Sequence, residues 1–98
     1  MGISIKHGEQ LVFALKGRLD TITSKDLVDA FEKEDKQESL VVVDMKELEY
    51  ISSAGLRALL AMKKELVANN KQLEIHNLNN ICLEVFKVTG FKNVLTIK

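Results

Sequence analysis

Strands alternating with helix-length segments predict an α/β domain whose sheet is mostly parallel. Three observations carry that prediction. Leu40-Val41-Val42-Val43 is an unbroken, β-branched apolar run, the pattern of a strand covered on both faces and therefore central. Leu56, Leu59, Leu60, Leu66 and Val67 recur at helical spacing shortly after it. Ahead of both, Ile3 and Ile5 alternate with Ser4 and Lys6, which reads as the first strand of a hairpin that adds an antiparallel edge. Right-handed crossovers then join the parallel strands and pack the helices on the sheet.

In chain order the expected succession is ββαβαβαβ. Residues 3–6 and 11–15 form the hairpin around His7-Gly8-Glu9-Gln10, and Gly17-Arg18-Leu19-Asp20 closes its second strand. Thr23, with Asp26 three residues on, resembles a capping box that opens a helix with a buried stripe of Leu27, Val28 and Phe31. The mixed-charge run 32–38 reads as a solvated last turn and loop. The central strand is expected to end at Asp44, with a turn over 45–50. Ser52-Ser53-Ala54-Gly55 opens the long helix, which stops at Asn69-Asn70. Leu73 and Ile75 mark a short strand. Asn79 or Asn80 caps a third helix with Cys82, Val85 and Phe86 on one face, Gly90 ends it, and 94–97 is the last strand.

Ninety-eight residues, 46% of them hydrophobic, suffice for one core, so the expectation is a single domain over 1–98. Lys+Arg 14 balance Asp+Glu 14, and a formal net charge of +0 offers no basic field for a phosphate backbone, so nucleic acid is not an expected partner. The lone Cys82 excludes an intrachain disulfide and fits a reducing compartment, hence an expected cytoplasmic location. No apolar stretch approaches the ~20 residues of a membrane span, and the N-terminus lacks a signal-peptide pattern. A soluble, unsecreted protein is expected.

Candidate chemistry is sparse. Ser53, His76 and Asp44 supply the residue types of a hydrolytic triad, but the strained elbow that exposes a nucleophile wants glycine two positions before the serine, and Ile51 stands there. Cys82 shares a helical face with Val85 and Phe86 and reads as core, and no His/Cys pair has metal-ligand spacing. Neither His7, in a turn, nor His76, at a strand end, has a clustered partner in sequence, so both read as solvated polar residues. A phospho-accepting Asp44 would need clustered carboxylates around Mg²⁺, and the first strands end in Lys6 and Gly17 instead. No glycine-rich phosphate loop occurs. No metal or cofactor is expected.

The serine pair remains. One serine suffices to cap the long helix, and two are present. The surplus hydroxyl sits where free amides and the helix dipole favour a phosphate dianion, so Ser53, or alternatively Ser52, is a candidate phosphorylation site. Ala54, Ala58, Ala61 and Met62 flank the core stripe of the same helix, either as core edge or as small residues that let a partner approach.

Gly17-Arg18-Leu19-Asp20, Val41-Val42-Val43-Asp44-Met45 with Leu48, and Tyr50-Ile51-Ser52-Ser53-Ala54-Gly55-Leu56-Arg57 together resemble a STAS domain, specifically a bacterial anti-sigma factor antagonist. Val85-Phe86 and Thr89-Gly90-Phe91 extend the resemblance over essentially the whole chain. It implies the STAS fold, a mixed and mostly parallel sheet with an N-terminal hairpin and about three main helices. It also implies a non-enzymatic partner switch: the unmodified form binds an anti-sigma factor that is also a serine kinase, phosphorylation of Ser53 releases it, and a PP2C-type phosphatase resets it. The family's acid at the end of the second strand falls on Asp20, a partner contact, and Thr23 matches the cap of the next helix. The implied partner surface is Asp20, Thr21, Thr23, Ser52, Ser53, Ala54, Gly55, Leu56 and Arg57, on a chain that is monomeric when free. One departure stands out: the position before the phosphoserine is often Asp in the best-known members, and here Ser52 is a competing acceptor. A constitutive STAS scaffold or transport-system subunit is the alternative reading, and a small hydrolase a more distant one.

Overall fold

The computed structural model describes residues 1–98. Its elements run β1 (Gly2–Lys6), β2 (Leu11–Leu19), α1 (Thr23–Lys33), β3 (Leu40–Ile51), α2 (Ser53–Ala68), β4 (Gln72–His76), α3 (Asn80–Thr89), a 3₁₀ turn (Phe91–Asn93) and β5 (Thr96–Ile97). The strands lie side by side in chain order, β1 antiparallel to β2 and all later pairs parallel. This is the expected ββαβαβαβ succession.

Each parallel step advances one place in the same direction, so right-handed crossovers put all three helices on one face of the sheet. The core records this. Leu11, Phe13 and Leu15 of β2, Val41 and Val43 of β3, and Ile75 of β4 share one cluster with Leu27 and Phe31 of α1, Leu59 and Met62 of α2, and Cys82 and Phe86 of α3. The opposite face carries Ser4, Lys6, Val12, Ala14, Asp44, Glu74 and His76, none of them buried. The expectation that 40–43 form a central strand covered on both faces holds for Val41, Val42 and Val43, although only one of the two faces carries helices. Val42 lies on the open face and is still only 2% exposed, because its register partners Val12 and Glu74 close over it.

The largest difference from the sequence reading concerns β3. Residues 45–50 are not a turn; they continue the strand to Ile51. The pairing with β2 slips twice: Ala14 opposes Asp44 but Lys16 opposes Glu47, and Gly17 opposes Leu48 but Arg18 opposes Tyr50. Each slip places one extra residue on β3, so the buried positions after Val43 and Met45 fall at Leu48 and Ile51, three apart instead of two. That spacing hides the strand. Gly17, at φ +99°, supplies the left-handed backbone on the facing strand.

Smaller corrections follow the same physical logic. The run 32–38 is the expected last turn and loop, with Glu32, Lys33, Asp35 and Gln37 exposed, but Lys36 is not simply solvated: it lies over the Phe31 ring (4.4 Å to the centroid) and donates to the carbonyls of Phe31 (2.6 Å) and Glu34 (3.0 Å), and Lys71 donates to Lys36 O. Val67 is 56% exposed, Leu60 and Val28 are only half-buried, and Met62, expected at the edge, is buried in the core. Asn79, not Asn80, caps α3 by accepting from the Cys82 amide (2.8 Å), and its Nδ2 donates to Leu48 O (2.8 Å). Gly90 ends α3 at φ +80°, and Asn69 is the C-cap of α2. The last strand shrinks to Thr96–Ile97, with Leu95 buried behind the 3₁₀ turn.

Candidate functional site

Parallel pairing places the ends of β2 and β3 together, Leu19 opposite Ile51. The residues that follow each strand, Asp20 and Ser52, are thereby neighbours, and the Ser52 amide donates to Leu19 O (2.9 Å). Ser52 is the N-cap of α2, extended at φ −96° and ψ 173°, with Oγ accepting from the Gly55 amide at 3.3 Å. Ser53 is the first helical residue and is exposed, and its hydroxyl has no hydrogen-bond partner within the chain. One serine caps and the other faces solvent.

Gly55 fixes how close this turn comes to the sheet. A Cβ there would lie 2.8 Å from Ile51 Cγ1, 2.9 Å from Leu19 Cγ and 3.0 Å from Leu19 O, closer than any side-chain carbon fits. Glycine at this position lets the helix start directly on the ends of β2 and β3. Gly55 and Leu56 are buried, so these two members of the expected partner surface position the site and have no surface to offer.

On the β2 side the capping box differs from the sequence reading. The acceptor is Asp20, not Thr23: Oδ1 receives the amides of Ile22 and Thr23, each at 3.0 Å, and Thr23 Oγ1 accepts in return from the Asp20 amide at 2.8 Å. The single Thr23 hydroxyl proton lies between Arg18 O (2.8 Å) and Asp20 Oδ1 (3.0 Å). Ser24 is buried and both its amide and its hydroxyl donate to Asp20 O. The Thr23 amide and hydroxyl, helped by the Ile22 amide and Arg18, hold the Asp20 carboxyl below its ordinary range. Asp20 is thus a structural cap as well as a half-exposed carboxylate beside the serines.

Thr21, Ala54 and Arg57 line an open groove of about 520 Å³ between α1 and α2, together with Ser24, Lys25, Val28, Asp29 and Ala58. The α1 side of this groove was not anticipated. Its signal in the sequence is Lys25 and Asp29, an i,i+4 charged pair on either side of Val28, but Val28 itself reads as part of the buried stripe. Arg18 stacks over the Tyr50 ring, 4.5 Å from its centroid, at the strand ends that carry Asp20 and Ser52.

The structure keeps the triad residues apart. Asp44 is mid-strand, its Oδ1 accepting from Asn77 Nδ2 and the Lys46 amide at 3.0 Å each, while His76 pairs with Glu74 at 2.9 Å. Burial raises the Asp44 carboxyl, but Asn77, the Lys46 amide and the nearby His76 and Lys46 charges outweigh it and leave the group below its ordinary value. Ser53 begins a helix roughly 20 Å further along β3. Cys82 is buried, which pushes its thiol up. No group of three or more His, Cys, Asp or Glu side chains has a geometry that would hold a metal ion, and no helix is long and apolar enough to cross a membrane. His7 is exposed, as expected, but it is not without partners: Nδ1 lies 2.7 Å from Glu38 Oε2, and Nε2 bonds Glu34 Oε1.

Comparison with known proteins places this geometry. The family model described as "Mlab, STAS domain" matches residues 5–96. BtrV of Bordetella bronchiseptica, named as an anti-sigma factor antagonist, is 33% identical over 88 residues, 89% of this chain and 76% of that protein. The chain is a STAS domain of the anti-sigma factor antagonist family. Among solved structures, an anti-sigma factor antagonist from Mycobacterium paratuberculosis superposes with a TM-score of 0.86 at 18% identity, covering 98% of this STAS chain and 83% of the other. The antagonist SpoIIAA gives 0.76 in its unphosphorylated form, covering 99% and 87%, and 0.73 in the phosphorylated form from Bacillus, covering 99% and 91%, each at 18% identity. The fold of this STAS domain is therefore that of the antagonists.

Proposed function

We propose that this STAS domain is a non-enzymatic, serine-phosphorylated partner switch acting in the cytoplasm as a free monomer. Unmodified, it binds an anti-sigma factor that is also a serine kinase and so frees the sigma factor; phosphate on Ser53 ends the binding, and a PP2C-type phosphatase restores it. The observation that carries the reading is the division of labour between the serines: Ser52 is committed to the α2 cap, and Ser53 is exposed and uncommitted. The family resemblance supports it, as does the existence of SpoIIAA in phosphorylated and unphosphorylated forms.

The contact surface is Asp20, Thr21 and Thr23 with Ser52, Ser53, Ala54 and Arg57, around the α1–α2 groove. A phosphate adds about −1.5 to −2 charges to that surface, which must be desolvated when the partner docks. On this chain Arg57 is the cation one helical turn on from Ser53. The test is intact mass and peptide mapping after incubation with ATP and the cognate kinase. A single phosphate on Ser53, with Ser53→Ala still binding in the presence of ATP, is the expected result. Phosphate confined to Ser52 would move the switch by one residue, and partner binding with no phosphate on either serine would leave the constitutive STAS subunit as the reading.

A further inference from the structure

At the opposite end of the sheet from the serines, one side chain meets two others that are far from it in sequence. His7 projects from the β1–β2 turn, Glu34 stands at the C-cap of α1, and Glu38 lies in the connection to β3. Both ring nitrogens of His7 face carboxylates, Nδ1 at 2.7 Å from Glu38 Oε2 and Nε2 on Glu34 Oε1. A neutral imidazole has one N–H and can donate to only one of them; the cation donates to both. The Glu38 side chain is only 8% exposed, and its second oxygen, Oε1, is the one buried side-chain atom without a hydrogen bond of good geometry. Losing the imidazolium would leave that carboxylate buried beside a lone pair, with no cation in its place. Lys36, the nearest lysine in the connection, is turned away onto the Phe31 ring and the carbonyls of Phe31 and Glu34.

We propose that His7, Glu34 and Glu38 form a proton-operated clasp that ties the β1–β2 turn to the α1–β3 connection and opens when the imidazole deprotonates. Hydrogen bonds to Glu34 and then Glu38 raise the His7 pKa above 6.5. Burial raises Glu38, but the His7 ring and the amides of Glu38 and Gly8 outweigh it, leaving this carboxyl below its ordinary 4.5. The signs follow. A raised histidine contributes stability that is complete below about 6.5 and is lost as pH rises through the folded value, while a lowered glutamate contributes above about 4.5 and is lost as pH falls through its folded value. The clasp is closed in the window between them. When it opens, β1, a five-residue edge strand exposed along most of its length, loses the polar tie of its turn to the α1 side and keeps only its pairing with β2 and the packing of Ile3.

Nitrogen-detected NMR of the histidine rings in the full chain, together with thermal melting from about pH 5 to pH 9, tests the clasp. Both His7 nitrogens should remain protonated past pH 6.5. Wild type should melt a few degrees above His7→Gln at about pH 6, with the gap closing as pH rises. Glu38→Gln, which keeps shape but removes the charge, should bring the His7 titration back toward 6.5. A ring that titrates at or below 6.5 in the wild type, or a gap to His7→Gln that does not change with pH, overturns the proposal.

Discussion

At the head of α2 two chemically identical hydroxyls stand in different physical settings. Ser52 Oγ satisfies an amide that the helix itself leaves unpaired, so Ser52→Ala should lower stability by about 1 kcal/mol, read by urea denaturation. Ser53 satisfies nothing within the chain, so Ser53→Ala should stay within about 0.5 kcal/mol of wild type while losing phosphate incorporation. Phosphate on Ser52 would have to displace the cap, whereas on Ser53 it would enter solvent next to free amides, which would give the proposed kinase a thermodynamic as well as a steric preference. Two residues on, Gly55 has no comparable freedom. A methyl group at 2.8 Å from Ile51 Cγ1 and 3.0 Å from Leu19 O meets backbone as well as side chain, so Gly55→Ala should cost about 1–3 kcal/mol and tilt the first turn of α2 off the strand ends. Because the serines ride on that turn, the same variant should weaken partner binding at temperatures where it is fully folded.

The turn between β2 and α1 shows how an element can be legible in sequence while its working residue is not. The Thr23 to Asp26 spacing announces a helix start, and the helix is there; the reciprocal bonds run one step earlier, between Asp20 and Thr23, because the chain turns sharply after Leu19 and leaves the Ile22 and Thr23 amides to be satisfied. Truncating a half-exposed residue in a loop is ordinarily nearly silent for stability. Because Asp20 accepts two amides, its truncation should not be: Asp20→Ala should lower the melting temperature by about 5 °C. Asp20→Asn keeps the Oδ1 acceptor and removes the charge, so a partner that reads the carboxylate should bind Asn poorly although Asn melts close to wild type. If affinity simply tracks melting temperature across the two variants, Asp20 serves the fold alone. The same contrast explains β3. Residues 40–43 are legible because a β-branched run needs no register to be recognised, and Asn69, Gly90 and the serine cap are legible because caps are local. The remainder of β3 is not, because its buried spacing of three is imposed by bulges that exist only in the pairing with β2, and the His7 clasp joins residues about 30 positions apart.

Across the whole molecule, three crossovers in one direction put the helices on one face and leave the proposed partner surface at the carboxyl ends of β2 and β3, with the proposed clasp at the other end. A switch built this way can operate by blocking a surface or by unfolding it, and the two make opposite demands on α2. The helix is anchored along its length by Leu56, Leu59, Met62 and Leu66, each almost fully buried, so a charge added at its first residue does not reach the contacts that hold it. Its first turn contains no acidic residue, so a phosphate there meets the positive end of the dipole, a contact worth about 0.3–1 kcal/mol in favour of the helix, opposed by the Asp20 carboxylate at the neighbouring strand end. On the proposed switch, phosphorylation should therefore leave the fold unchanged or slightly steadier while affinity falls through a faster dissociation rate, since the dianion would lie between the domain and its partner. Amide exchange across 55–67 decides between the mechanisms. Equal or greater protection in the phosphorylated protein, with surface plasmon resonance showing the loss of affinity in the off-rate, is the expected outcome. Markedly faster exchange over those residues would mean that the phosphate melts the binding helix, and blockade would have to be abandoned.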